Sequence, residues 1–190
     1  MMNRRDVLKM ATAVTGMGLI APLSAALLAQ QELTLANGML GSDKPQYFSQ
    51  EQLGLISLVM DTILPRTNSP SASDVNTHLI MDNMFAQVFK PAYKETFQQR
   101  FSAFQKLLMA QNFVLANPAH KLALLQQLES SKPEQRTAAY QAYFDIKQQT
   151  ISYYLKTEEI SKKHLNYLPI PGIYVPCIKV SEVNNIAWAI

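Results

Sequence analysis

The chain has 190 residues, 48% of them apolar and 16% charged, with one cysteine and a formal net charge of +3. That length suits one domain with an extension, and the apolar share excludes an intrinsically disordered chain. The charge is too small for the footprint of a nucleic-acid binder, and a single cysteine excludes an internal disulfide framework.

The first thirty residues differ from the rest. Arg4, Arg5 and Lys9 precede nineteen uncharged residues, Met10 to Leu28, and small residues cluster at Ser24, Ala25, Ala26 and Ala29. A positive start, an apolar stretch and a small-residue exit are the parts of an export signal. The run Asn3-Arg4-Arg5-Asp6-Val7-Leu8-Lys9 resembles the twin-arginine signal, carried by Arg4, Arg5, Leu8 and Lys9. The alternative is a retained membrane anchor, because the stretch approaches the length of a spanning helix. Pro22 and the dilution by Thr12, Thr15, Gly16 and Gly18 favour cleavage, after Ala26 or Ala29. Without residues 1–29 the chain keeps fourteen basic and thirteen acidic side chains, a net of +1. Most of the basic bias therefore belongs to the signal.

Residues 30–47 read as a linker, with Asn37, Gly38, Gly41, Ser42, Asp43 and Pro45 and no sustained periodicity. A helical domain is expected over 48–165. Ser49 and Gln52 form a capping box behind Phe48 in the staple position. Leu53, Ile56, Val59, Met60 and Ile63 follow at helical spacing, and Pro65 ends the element. Ser71-Ala72-Ser73-Asp74 is a second capping box, which predicts a helix over 74–89. A third helix is predicted over 91–116, with the stripe Phe97, Phe101, Phe104, Leu107 or Leu108, and Met109; Asn117-Pro118 breaks it. Leu122, Leu124, Leu125 and Leu128 mark a short fourth helix. Ser131-Lys132-Pro133-Glu134 is a third box with an early proline. It opens a fifth helix running to about Leu155, with Tyr140, Tyr143 or Phe144, Ile151, Tyr153 and Tyr154. No period-2 run marks a strand. The fold expected is all-α, a small bundle of four to five helices with an extended proline-rich C-terminal tail.

That tail covers 166–190. Pro169, Pro171 and Pro176 forbid a helix, yet Tyr167, Leu168, Ile170, Ile173, Tyr174 and the terminal Ile186-Ala187-Trp188-Ala189-Ile190 are apolar and aromatic. Such a segment is expected to cover either its own bundle or a partner.

Chemistry is sparse. No G-x-G-x-x-G and no G-x-x-x-x-G-K followed by Ser or Thr occurs, so no nucleotide cofactor is expected on this chain. His78 shares a helix face with Asp74 and Asp82, which one metal could use; a polar surface face is the plainer reading. Cys177 reads as a buried thiol or as a contact to another chain, rather than as a nucleophile. Asp61 sits among Leu58, Val59, Met60, Ile63 and Leu64, and Arg66 is its expected partner in an ion pair closing the helix end. Lys156, Lys162, Lys163 and His164 cluster around Glu158 and Glu159, a charged helix end and not a nucleic-acid patch.

Two blocks carry a family likeness. One runs from Phe48-Ser49-Gln50-Glu51 through Asp61-Thr62-Ile63-Leu64-Pro65-Arg66-Thr67-Asn68-Ser69-Pro70-Ser71-Ala72 to Asp82. The other runs from Tyr153-Tyr154 through Asn166-Tyr167-Leu168-Pro169-Ile170-Pro171-Gly172-Ile173-Tyr174 to Cys177, with Trp188-Ala189 near the end. In these the chain resembles the gluconate 2-dehydrogenase subunit 3 family. It departs from the family loop Thr-Asp-Thr-Pro-Gly-Ala at Asn68, Ser69 and Ser71. It also lacks the family's usual glycine after Tyr154. The resemblance implies a non-catalytic small subunit that binds no cofactor itself. Its partner would be a large flavoprotein of the glucose–methanol–choline (GMC) type, holding FAD and acting on a sugar or polyol such as gluconate or glucose. The small subunit would supply the twin-arginine signal for its partner. The pair would reside in the periplasm, held at the membrane through the complex, and pass electrons to a cytochrome c subunit or another acceptor. Asp61, Pro65, Tyr153, Tyr154, Tyr167, Pro169, Pro171, Gly172, Tyr174, Cys177 and Trp188 are the residues to which the resemblance and the pattern together assign structural or partner contacts. An independent periplasmic enzyme, or an assembly or binding protein, is the alternative.

Overall fold

The computed structural model describes residues 44–131, 136–170, 172 and 177–189, all within the unit Gly41–Ile190. Arg4, Arg5, Leu8 and Lys9 lie outside the described residues, as do Pro171, Tyr174 and most of the linker. Among the described residues there are six α-helices and no strand, which agrees with the all-α expectation.

Helix α1 (Gln50–Ile63) begins on its capping box. Ser49 Oγ accepts the Gln52 N–H at 3.2 Å, and Gln52 Oε1 accepts the Ser49 N–H at 3.1 Å. Phe48 is buried ahead of it, and Leu53, Ile56, Val59 and Met60 form the buried stripe. Pro65 restricts Leu64 to a non-helical conformation, and the helix stops.

Helix α2 (Thr77–Gln87) starts three residues later than the second capping box suggests. Ser71 and Asp74 do pair reciprocally, Ser71 N–H to Asp74 Oδ2 at 2.7 Å and Asp74 N–H to Ser71 Oγ at 3.4 Å. Asn76 then takes a left-handed conformation, φ 56°, and delays the helix.

Helix α3 (Pro91–Ala110) carries proline in its first turn and ends six residues before the predicted 116. Asn112 is left-handed, with φ 49°. The Phe113 N–H bonds Leu108 O at 3.0 Å and the Asn112 N–H bonds Met109 O at 3.0 Å. These are the two bonds of a Schellman ending, and the fully buried Phe113 supplies its apolar contact.

In α4 (Pro118–Glu129) the predicted breaker Asn117 is the N-cap, its Oδ1 accepting the His120 N–H at 2.8 Å. Helix α5 (Ala138–Lys156) is capped by Thr137, not Ser131; Thr137 Oγ1 accepts the Tyr140 N–H at 3.3 Å. A short α6 (Glu158–Lys163) occupies the stretch expected as a charged helix end. Its Lys162–Glu158 and Lys163–Glu159 pairs, at 2.6 and 2.8 Å, are i,i+4 neighbours.

Helix α5 is central and packs on α1, α2 and α3, while α4 leans on α1. The core is a run of rings: Phe85 meets Phe97 at 4.6 Å between centroids, and Phe97 stacks on Phe101 at 5.7 Å. Leu108 completes the α3 stripe and is buried, whereas Met109 is exposed. Of the adjacent α5 aromatics, Tyr143 is buried and Phe144 exposed. Tyr143 donates to Glu129, which also pairs with Lys147 at 2.5 Å, so the end of α4 is tied to α5.

Candidate partner-binding site

The loop between α1 and α2 is held at several points. Asp61, in the last turn of α1, accepts the Ser73 N–H at 2.8 Å. The Ala72 N–H bonds Leu64 O at 3.1 Å, closing the loop across its base. Tyr154 of α5 donates its hydroxyl to Pro70 O at 2.7 Å. Arg66 pairs with Asp74 at 2.5 Å, not with Asp61 as its place in sequence suggests. The Ser71 N–H holds the Asp74 carboxyl below its ordinary pKa, with the Ser71 hydroxyl and Arg66 adding to it. The structure thus gathers Asp61, Pro65 and Tyr154 around one rigid loop. Beside it opens a cleft of about 500 Å³, walled by Leu58, Asp61, Pro65 and Arg66 and by Pro118, Lys121 and Leu122 of α4.

His78 and Asp82 do not form a shared metal face. Asp82 is buried and spends its carboxylate on backbone N–H groups, those of Gln46, Tyr47 and Phe48 at 2.6, 3.0 and 2.8 Å. His78 is half-buried, and its Nδ1 has no hydrogen-bond partner. Burial pushes the imidazole below its ordinary pKa, while Asp61 and Asp82 pull the other way. Among the described residues no three His, Cys, Asp or Glu side chains come close enough to hold a metal. The role of Asp82 was not legible in the sequence, because its partners lie 34 to 36 residues upstream.

Tyr153 and Tyr154 diverge on α5. Tyr154 is buried against the loop. Tyr153 is half-buried and donates to Gln149 Oε1 at 3.3 Å. Burial pushes its hydroxyl up to about 12, with Tyr93 adding to the effect.

The tail has its own geometry. After α6 the chain reaches Leu165, half-buried against the core, and then Asn166. Asn166 forms a parallel bridge with Trp188, its N–H bonding Ala187 O and its carbonyl accepting the Ala189 N–H, both at 2.9 Å. Tyr167 and Trp188 each keep 47% of their surface exposed, and Ile170 keeps 83%. Leu168, Ile178, Val180 and Ile186 are also exposed, as are Pro169 and Gly172. Cys177 is exposed, which rules out the buried-thiol reading. Exposed aromatic and branched side chains gathered in one segment are the features of a protein-binding surface. No helix among the described residues is long and apolar enough to cross a membrane.

Residues 50–172 match the family described as gluconate 2-dehydrogenase subunit 3, which takes in all six helices, the 64–76 loop and the start of the tail. No curated protein and no solved structure matches the chain.

Proposed function

The chain belongs to that family, the match spanning more than half its length and making it an accessory subunit of a dehydrogenase complex, and on this premise we propose how it serves the complex. It is a non-catalytic small subunit that binds and steadies a large flavin-dependent dehydrogenase of the GMC type, which holds FAD and oxidises a sugar or polyol. The twin-arginine run at Arg4 and Arg5 carries the pair, already folded, to the periplasm. There the flavin passes electrons to a cytochrome c subunit or another acceptor.

One observation carries the reading. The tail exposes Tyr167, Leu168, Ile170, Val180, Ile186 and Trp188. Aromatic anchors in an apolar surface are what a subunit contact is made of. Three carboxylates of this region are meanwhile occupied: Asp61, Asp74 and Asp82 each accept backbone N–H groups. Their roles are structural, which suits a subunit that leaves the chemistry to its partner.

The test is purification of the tagged chain from the cells that make it. Co-purifying chains are identified by mass spectrometry and flavin by its absorbance. A large flavoprotein in stoichiometric amount is expected with the full chain. A chain ending at Leu165 should recover none of it. Recovery of no stoichiometric partner, or of one without flavin, overturns the reading.

A further inference from the structure

Asn166 ties the two ends of the tail together with four hydrogen bonds. Two are the backbone bonds of the Trp188 bridge. The other two come from its side-chain amide, which donates to Ile186 O at 2.7 Å and to Val183 O at 3.2 Å. The chain is brought back to Asn166 by a 3₁₀ turn, Val180–Val183, followed by Asn184 and Asn185, both left-handed at φ 55° and 58°. Asparagine tolerates that region better than other side chains.

The core does not account for this ordering. Among the described residues, none after Leu165 is buried in the core or lies half-buried against it. A segment fixed by polar bonds while its apolar side chains face outward is shaped ahead of a partner. Preorganisation of this kind lowers the entropy lost on binding. The tail also carries only two charged side chains, Lys179 and Glu182. Its partner face is accordingly apolar and nearly uncharged. A lipid surface fits less well, since an anionic headgroup layer is recognised by basic clusters that the tail lacks.

We propose that Asn166 is a clamp that pre-shapes the tail as the docking surface for the dehydrogenase subunit, with Tyr167 and Trp188 as its aromatic anchors. This rests on the reading of the chain as a subunit of that complex. Loss of the amide leaves the surface present but populated in its binding shape for only part of the time. The apparent affinity then falls by that fraction, and the fall appears in the association rate.

The experiment measures binding of the full chain to the flavoprotein recovered with it, by biolayer interferometry at two salt concentrations. Asn166→Ala should weaken binding by about tenfold, mainly through slower association. Trp188→Ala should weaken it by about a hundredfold, mainly through faster dissociation. Wild-type affinity should change little with salt. Circular dichroism and the melting temperature should match wild type for both variants, and should Asn166→Ala fail to fold, Tyr167→Ala and Trp188→Ala carry the test of the surface. Wild-type binding by Asn166→Ala overturns the clamp and leaves the subunit reading standing. Wild-type binding by the chain ending at Leu165 overturns the docking surface itself. Binding of the chain alone to phosphatidylglycerol vesicles, lost in Trp188→Ala, replaces the partner with a membrane. A dimer in sedimentation, lost in the same variant, replaces it with a second copy.

Discussion

Asp82 shows how one side chain can fix where a folded body begins. Its carboxylate takes three consecutive N–H groups, from Gln46 to Phe48, and so seats Phe48 under the first turn of α1. Asp82→Ala leaves those donors without a partner where they are buried. It should cost about 3 kcal/mol, measured by chemical denaturation. His78 acts through its proton. The folded chain resists protonation of this half-buried ring, whereas the unfolded chain accepts the proton near pH 6.5. The unfolded state then binds more protons, so this contribution is complete above about pH 6.5 and is lost as the pH falls below it. The facing charges are the carboxylates of Asp61 and Asp82, which limit the loss. The melting temperature should drop between pH 7.5 and pH 5.5, and His78→Gln should flatten that slope. The depressed carboxyls of Asp74, Glu129 and Glu158 enter only at lower pH, below their ordinary range. Asp61 was legible as a residue that closes a helix end, but not its partner. Chain order favours Arg66; the fold of the loop gives Asp61 to the Ser73 N–H and Arg66 to Asp74.

At the level of elements, local signals decide the structure where they act alone. The Ser49–Gln52 box set the start of α1, and Pro65 set its end. Boundaries failed where a single asparagine entered the left-handed region. Asn76 delays α2 and Asn112 closes α3; asparagine tolerates that conformation without requiring it, so its place in sequence does not fix the boundary. Helix α5 begins later than its first sequence signal because Ser131 and Thr137 carry equivalent capping chemistry, and only Thr137 adjoins the packed stripe of α5. Helix α6 shows no sequence signal of its own, since its six residues are too few to show a period. The 64–76 loop is the element most dependent on a distant partner. Tyr154→Phe keeps the ring packed and removes only the bond to Pro70 O. It should cost about 1 kcal/mol and raise hydrogen exchange at Ala72 and Ser73 ahead of global unfolding.

The described part of the chain divides into a body and a surface. The all-α fold was legible because the stripes on α1, α3 and α5 repeat at helical spacing and meet in one aromatic core. The tail was legible as apolar and non-helical, from its prolines. Its attachment to Asn166 was not, since the bonds span 17 to 23 residues and depend on a turn made by Asn184 and Asn185. Among the described residues the buried core lies wholly at or before Ile160. A chain ending at Leu165 should therefore keep its helical circular dichroism and lose less than about 1 kcal/mol of stability, while losing its partner. A body that stays stable without its surface lets the two be changed independently.

The chain's single tryptophan is Trp188, and it stands in that surface. Replacing it with 5-fluorotryptophan puts one fluorine nucleus in the whole subunit, at the place where contact is made. Its nuclear resonance then reads attachment directly, in the presence of a large flavoprotein whose own indoles stay silent.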